Sequence, residues 1–175
     1  MTQIDFYTGA ADRLLIACRL CAKAVQQGLF KADVTQIDFY TGAADRLLIA
    51  CRLCAKAVQQ GLKTVVHVPD ERVAGQLDKL LWTFSPTGFV PHCRVDNKLA
   101  KVTPVIMNNR PALMEIDHFD ILLNLDVDMP PGFEQFPRVV EIVDETEDGK
   151  QLARKRYRRY QEQGHNVRHH RIDGN

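Results

Sequence analysis

Residues 35–68 read TQIDFYTGAADRLLIACRLCAKAVQQGLKTVVHV, with β-type sequence at both ends and helix-type sequence between them. Residues 36–40 alternate as a strand does, and residues 64–68 form a short apolar run rich in β-branched side chains. Residues 43–60 carry apolar side chains at helical spacing and are followed by Gly61, the residue type that most often ends a helix. A strand, a helix and a second strand in this order predict the first unit of an α/β fold.

The rest of the chain continues the alternation of strands and helices. A second helix is predicted from Glu71 to Trp82, with Asp70 as its N-cap, and a last helix from about Lys150 to Gln163. Apolar runs typical of buried strands lie at residues 105–107, 121–125 and 139–143. We therefore expect a three-layer, Rossmann-like α/β fold with a largely parallel central sheet of about five strands.

A direct duplication precedes this domain, because residues 2–29 are repeated letter for letter as residues 35–62. Solenoids need about three or more diverged repeats, so two identical copies point to recent duplication or to an error of sequence assembly. The second copy continues directly into the strand at Thr64, whereas the first would need a connection of more than about thirty residues, which is disfavoured by about 2 kcal/mol.

The duplication leads to a division of the chain into three parts. We interpret residues 1–34 as an appendage, residues 35–164 as a single α/β domain and residues 165–175 as a polar C-terminal tail. The appendage is expected to be disordered, to pack on the outside of the domain, or to swap into a second molecule.

The duplication also accounts for two C-x-x-C motifs, a spacing typical of structural zinc sites. They are one pair present twice, at Cys18 and Cys21 and again at Cys51 and Cys54. Cys51 and Cys54 lie at positions i and i+3 of the predicted helix, on its apolar face, where a thiol packs as a small apolar group. Packing in the core is the interpretation we favour, and a redox or metal-binding pair is the alternative.

Signatures of a bound nucleotide and of a catalytic centre are missing from the sequence. The turn Thr41-Gly-Ala-Ala-Asp45 has one glycine where a dinucleotide-binding turn has three, and neither a P-loop nor a G-x-S-x-G motif occurs. His67 lies in a predicted strand. His165, His169 and His170 lie in the predicted tail, where metal binding would be opportunistic. We expect no cofactor, no metal and no catalytic site, with a nucleotide-handling enzyme as the alternative.

Charge is balanced over the domain. Residues 35–175 hold 19 basic and 19 acidic side chains, so the general positive excess of a nonspecific DNA-binding protein is absent. No apolar run is long enough to span a membrane, and the first residues do not resemble a secretory signal. These features predict a cytoplasmic protein without a membrane partner.

The strongest local signal is the last predicted helix, Lys150-Gln-Leu-Ala-Arg-Lys-Arg-Tyr-Arg-Arg-Tyr160, which has six positive charges in eleven residues and no acid. Four of its residues share one side of a helical wheel: Lys150, Arg154, Tyr157 and Arg158. Arginine binds carboxylates or phosphates through paired hydrogen bonds, and a neighbouring tyrosine can cover an apolar residue beside the anion. The neutral domain favours a short acidic peptide over a DNA backbone. A solvated charged helix and direct binding of single-stranded DNA are the alternatives.

A second signal is the loop that follows Trp82, which contains Phe84, Phe89, Val90 and Pro91. Aromatic side chains are enriched at interaction hot spots, and an exposed connection seldom carries so many. We expect one or two of these residues to lie on a partner surface and the others to pack in the core.

Several of these segments together resemble a known family. They are Leu80-Leu-Trp82, Phe89-Val-Pro-His92, Val139-Val-Glu-Ile-Val143, and Lys150-Gln-Leu-Ala-Arg154 followed by Arg156-Tyr157. Their order and spacing resemble the chi-subunit family of bacterial DNA polymerase III holoenzyme, over about residues 35–167.

The resemblance implies a noncatalytic accessory subunit of a DNA-directed DNA polymerase, which takes part in DNA replication without a cofactor. Proteins of this family join the clamp loader through the small psi subunit and bind the acidic C-terminal tail of single-stranded-DNA-binding protein, so their link to DNA is indirect. The family's tail-binding residues fall here on Val143, Lys150, Arg154 and Tyr157, with Arg158 as a further base. The surface for psi, or alternatively for a repair helicase, falls on Trp82, Phe89, Val90 and Pro91.

Overall fold

The computed structural model describes residues 34–86, 88–109 and 119–172. The first copy of the duplicated segment and the last three residues of the predicted tail lie outside the described residues. What we expect of the appendage at residues 1–34 therefore stays a prediction.

The described residues form seven strands, three α-helices and one short 3-10 helix. The strands are β1 (Gln36–Thr41), β2 (Thr64–His67), β3 (His92–Arg94), β4 (Val105–Asn108), β5 (Ile121–Asn124), β6 (Arg138–Ile142) and β7 (Asn166–Arg171). The helices are α1 (Arg46–Gln59), α2 (Glu71–Thr83) and α3 (Glu147–Glu162), with a short 3-10 helix at Phe133–Gln135. All five predicted strands and all three predicted helices are present, so the α/β prediction is confirmed.

The described strands form one parallel sheet in the order β3-β4-β2-β5-β6-β1-β7. β1 lies between β6 and β7, with Ile37 opposite both Val139 and Val167. Because α3 connects β6 to β7, it crosses over β1 and brings its side chains to the end of that strand.

The sheet has seven strands rather than about five, and the two additional strands, β3 and β7, are its edges. β3 has three residues, and β7 reads Asn-Val-Arg-His-His-Arg, a polar sequence that predicts a tail rather than a strand. Edge strands are partly hydrated and need no continuous apolar face. Residues 166–171 are a strand because they pair with β1 over its whole length, from Gln36 opposite Asn166 to Thr41 opposite Arg171.

Helices cover both faces of the sheet, which gives the expected three layers. α1 and α2 pack on one face around a core that includes Cys51, Cys54 and Leu77. α3 packs on the other face, where Tyr160 and Phe133 lie in a second core. No helix among the described residues is both long and apolar enough to cross a membrane.

Each of the three α-helices begins at a side chain that caps it. Asp45 Oδ1 accepts hydrogen bonds from the backbone N–H groups of Leu47 and Leu48, at 2.9 and 3.0 Å. Asp70 caps α2 in the same way, and Thr146 accepts a hydrogen bond from an N–H group in the first turn of α3. Such caps stabilise a helix by about 1 kcal/mol and set where it starts relative to the sheet.

Gly42 allows the end of β7 to lie close to the end of β1. Its φ angle is 82°, and a Cβ atom at this position would lie 2.6 Å from the carbonyl oxygen of Ile172. Only glycine fits both the left-handed backbone and the close approach. The carboxyl ends of β1 and β7 are therefore adjacent.

Candidate functional site

A cavity of about 300 Å³ opens at the carboxyl ends of β1 and β6, beside β7 and under α3. Its lining residues are Phe39, Thr41, Val143, Lys150, Ala153, Arg154, Tyr157 and His169. Ligands of parallel α/β sheets commonly bind at this end of the strands. The structure thus brings together four of the five residues predicted to bind an acidic tail: Val143, Lys150, Arg154 and Tyr157.

The floor of the cavity is apolar. Phe39 from β1, Val143 after β6 and Ala153 from α3 are each at most 6% exposed. The ring of Tyr157 meets Phe39 edge-on, with the ring centroids 5.3 Å apart and the planes at 61°. Burying one apolar side chain of a ligand against such a floor is worth about 1.5–3 kcal/mol.

Two cations from α3 stand at the rim of the cavity. The ammonium group of Lys150 lies 3.2 Å from the carboxylate of Glu147, an exposed pair that contributes little by itself. Arg154 is exposed, and no acidic side chain in the described part of the chain forms an ion pair with it. Arg158, the fifth predicted residue, is exposed but does not line the cavity. The guanidinium of Arg154 is thus available to a carboxylate above an apolar floor.

His169 lines the cavity and lies in β7, so the prediction that it belongs to a polar tail is wrong. It lies opposite Phe39 in the pairing of β1 with β7, and its Nε2 atom is 2.8 Å from the hydroxyl oxygen of Thr41. The sequence around it has no apolar alternation, so nothing in the pattern pointed to a strand or to this contact.

A buried polar network holds α3 against the sheet and so places the rim. The carboxylate of Glu141 in β6 is fully buried and accepts hydrogen bonds from Arg156 Nε at 3.1 Å and from the Tyr160 hydroxyl at 2.8 Å. Asn124 in β5 donates to the same carboxylate at 3.1 Å. Burial raises the pKa of Glu141, and the charge of Arg156 opposes that rise. The side chains of Arg156 and Tyr160 point into the core, whereas the side chain of Arg154 lines the cavity.

A second exposed surface lies at the end of α2. Trp82 and Phe89 are 54% and 55% exposed, and their rings stack with centroids 5.0 Å apart and planes at 16°. Pro91 is exposed in the same loop. Val90 is 2% exposed and packs in the core with α1 and α2. The prediction that Val90 belongs to the partner surface is therefore wrong. The backbone N–H of Val90 donates to the carbonyl of Leu81 at 3.1 Å, which turns this side chain inward.

Comparison with known proteins shows the family of the chain. A family model described as DNA polymerase III chi subunit, HolC, matches residues 34–168. The chain belongs to the chi-subunit family. DNA polymerase III subunit chi of Pseudomonas aeruginosa is 35% identical over 176 residues, with 98% of each chain covered. The chi subunits of Haemophilus influenzae and Escherichia coli are 29% and 30% identical over 105 residues, which cover 60% of this chain and 72% and 71% of theirs.

The chi-family match includes both surfaces described above. It spans Trp82, Phe89 and the rim of the cavity on α3, and it ends at residue 168, one residue before His169. The relatives are named as subunits of DNA polymerase III, so the family resemblance is confirmed. The chain therefore stands among the accessory proteins of DNA replication.

The cysteine pair of this chi-family protein is part of its core. Cys51 and Cys54 are fully buried, and burial raises the pKa of each thiol to about 12. The thiolate is the form that attacks disulfides and binds metals, so core packing is favoured over redox or metal chemistry. Within residues 34–86, 88–109 and 119–172, no group of three or more His, Cys, Asp or Glu side chains is arranged to hold a metal ion.

Proposed function

We propose that this chi-family protein is a replication adaptor that joins the clamp loader of DNA polymerase III, through psi, to the acidic C-terminal tail of single-stranded-DNA-binding protein. The observation that carries the proposal is the cavity under α3, where an apolar floor lies directly below an arginine without an acidic partner among the described residues. In this role the protein acts in the cytoplasm and needs no catalytic group of its own.

The cavity matches the chemistry of such a tail. Phe39, Val143 and Tyr157 form a slot for an apolar side chain of the tail, and Arg154 and Lys150 lie where its carboxylates would bind. Arginine can hold a carboxylate through two parallel hydrogen bonds, which fixes the direction of the peptide as well as its charge. Because the rim is exposed, the contact is expected to be weak and sensitive to salt.

The two surfaces are far enough apart for two partners to bind at once. The cavity lies at β6, β1 and β7, whereas Trp82 contacts His92 in β3, at the opposite edge of the sheet. Neighbouring strands are about 4.8 Å apart, so the surfaces are separated by about 20–25 Å. The stacked pair Trp82 and Phe89 suits an apolar partner such as psi, or alternatively a repair helicase that would compete for the same surface.

The test is a binding titration with a labelled acidic tail peptide, followed by fluorescence anisotropy at low and moderate salt. Arg154→Ala should weaken binding at least about tenfold, because it removes a charge-assisted contact worth about 1.5–3 kcal/mol. Arg159→Ala is the matched control, since Arg159 is an exposed arginine of α3 that does not line the cavity. If Arg154→Ala and Arg159→Ala bound the peptide with equal affinity, the cavity would not be the binding site.

Direct binding of single-stranded DNA is a second candidate, favoured by the exposed arginines on the outer side of α3. A labelled oligonucleotide titrated without any partner protein separates the two functions. Salt-dependent binding of the oligonucleotide, lost equally in Arg154→Ala and Arg159→Ala, would favour a diffuse DNA contact over a peptide pocket.

A further inference from the structure

We propose that His169 is a third basic residue of the cavity and makes binding of an acidic peptide depend on pH, with tighter binding when its imidazole is protonated. The inference rests on the proposed function of the cavity, and it adds a residue that lies one position beyond the family match.

The position of His169 follows from the pairing of β7 with β1. Successive side chains of a strand point to opposite faces of the sheet, so His169 and His170 must point apart. His169 lines the cavity on the α3 face. His170 instead contacts Asp38, with Nε2 2.9 Å from Oδ1, and its ring stacks on Tyr40 with the centroids 4.7 Å apart.

The contact on the far face anchors β7 and so keeps His169 in place. Asp38 is fully buried and pairs with Arg138 as well as with His170. Burial would raise the pKa of Asp38, but its hydrogen bonds to His170 and Gln36 and the charge of Arg138 hold it below the usual range. A buried carboxylate of this kind orders the edge strand that carries His169.

The hydrogen bond to Thr41 allows His169 to change charge without moving. A hydroxyl group both donates and accepts. Thr41 can therefore donate to a neutral Nε2 atom, and it can accept from the Nε2–H group of a protonated ring, across the same 2.8 Å contact. Protonation adds a positive charge to the cavity and leaves its shape unchanged.

The charges around His169 determine the sign of the effect. The charged or titratable groups on this side are Lys150 with its partner Glu147, Arg154 and Tyr157 on α3, and Arg171 on β7, while β1 contributes the hydroxyl of Thr41. Among the residues that the structure describes, no carboxylate lines the cavity. Apart from the Glu147 carboxylate that pairs with Lys150, the charged neighbours named here are positive, and a protonated imidazole gains opposite charges when an acidic peptide binds. By linkage, peptide binding takes up a proton, so affinity rises as pH falls.

The experiment measures peptide affinity by anisotropy at pH 5.5, 6.5, 7.5 and 8.5 for the intact chain and four variants. Peptide carboxylates remain largely ionised over this range, so changes report on the protein. The intact chain should bind about two- to fivefold more tightly at pH 5.5 than at pH 8.5, the range expected for one exposed charge contact. His169→Gln should bind at all pH values with the affinity of the intact chain at pH 8.5.

Two further variants separate charge from structure. His169→Arg carries a permanent charge and should bind at every pH as the intact chain does at pH 5.5. Arg168→Gln removes an exposed charge from the other face of β7 and should keep the pH dependence. A flat profile for the intact chain, or a pH dependence retained in His169→Gln, would overturn the inference.

The Arg154→Ala variant distinguishes this inference from the proposal on which it rests. If Arg154→Ala abolishes binding and the intact chain shows no pH dependence, the pocket stands and the role of His169 is wrong. If Arg154→Ala binds as the intact chain does at every pH, the pocket itself is wrong and both statements fall.

Discussion

Phe89 and Val90 show how adjacent side chains of one loop take opposite roles. The ring of Phe89 is 55% exposed and stacked on Trp82, whereas Val90 is 2% exposed and packed against the helices. An exposed aromatic stack retains apolar area that a partner can remove from water. A buried valine contributes to the stability of the fold instead.

We predict that Phe89→Ala weakens binding of the psi subunit by at least about 2 kcal/mol, as truncation of a central aromatic anchor does. Its thermal unfolding temperature should not change, because more than half of the side chain is already in water. Isothermal titration calorimetry and thermal unfolding measure the two effects.

Val90→Ala is the matched control for Phe89→Ala. It should lower the free energy of unfolding by about 1–3 kcal/mol, since it leaves a cavity in the core, and the folded protein should bind psi normally. Normal psi binding by Phe89→Ala would exclude the stacked pair as the anchor of this surface.

The arginines of α3 show which properties of a single residue the helical period predicts and which it does not. The helical wheel correctly grouped Lys150, Arg154 and Tyr157, because positions on one helix follow from its period. It could not show that Arg156 is buried in an ion pair with Glu141. That pair joins a helix to a strand that lies fifteen residues earlier in the chain, so only the packing of the two elements reveals it.

At the scale of elements, β7 is the strand on which the cavity depends most. It covers the outer edge of β1, presents His169 to the cavity and presents His170 to the buried carboxylate of Asp38. Without it, β1 would become an edge strand and Asp38 would lose one of its partners.

We predict that removal of residues 165–175 lowers the free energy of unfolding by about 2–4 kcal/mol, from lost hydrogen bonds that are only partly offset by regained chain entropy. Affinity for the acidic tail peptide should fall as well, because one wall of the cavity is lost. Chemical unfolding and anisotropy measure the two quantities.

A shorter truncation provides the control for the role of β7. Removal of residues 173–175 spares the strand and should leave both stability and affinity unchanged. If the two truncated proteins were equally stable, the contribution of β7 to the fold would be disproved.

At the scale of the whole molecule, the described α/β domain uses the second copy of the duplicated segment, with β1 and α1 at residues 36–59. Deletion of residues 2–34 and deletion of residues 30–62 yield the same polypeptide. The two copies are identical, and residues 30–34 between them are removed in either case. The single-copy protein therefore keeps every described residue of the sheet, of the cavity, and of the surface formed by Trp82 and Phe89.

We predict that the single-copy protein has the same thermal unfolding temperature and the same affinity for the tail peptide as the full chain. The physical reason is that β1, α1 and every described residue of the two cores lie within residues 35–172, which the deletion leaves intact. Thermal unfolding, anisotropy and light scattering measure the comparison. Weaker peptide binding by the single-copy protein would show that the extra copy takes part in the site.

Light scattering tests the exchange of copies between molecules. A dimer for the full chain and a monomer for the single-copy protein would indicate that one molecule's spare strand and helix enter another's sheet. Monomers in both cases would exclude such exchange.

Apolar periodicity in the amino-acid sequence was enough to establish the α/β class, the five inner strands, the three helices and the basic, aromatic face of α3. It succeeded there because buried strands and helices must place apolar side chains at the period of their backbone. The two edge strands, the burial of Val90 and the place of His169 in the cavity were decided by the tertiary structure alone. Backbone pairing with β1 and the buried carboxylate of Asp38 hold β7 in place. The backbone hydrogen bond from Val90 to Leu81 holds Val90 in the core. These contacts join residues distant in the chain or act through the backbone, so they leave no periodic pattern in the sequence.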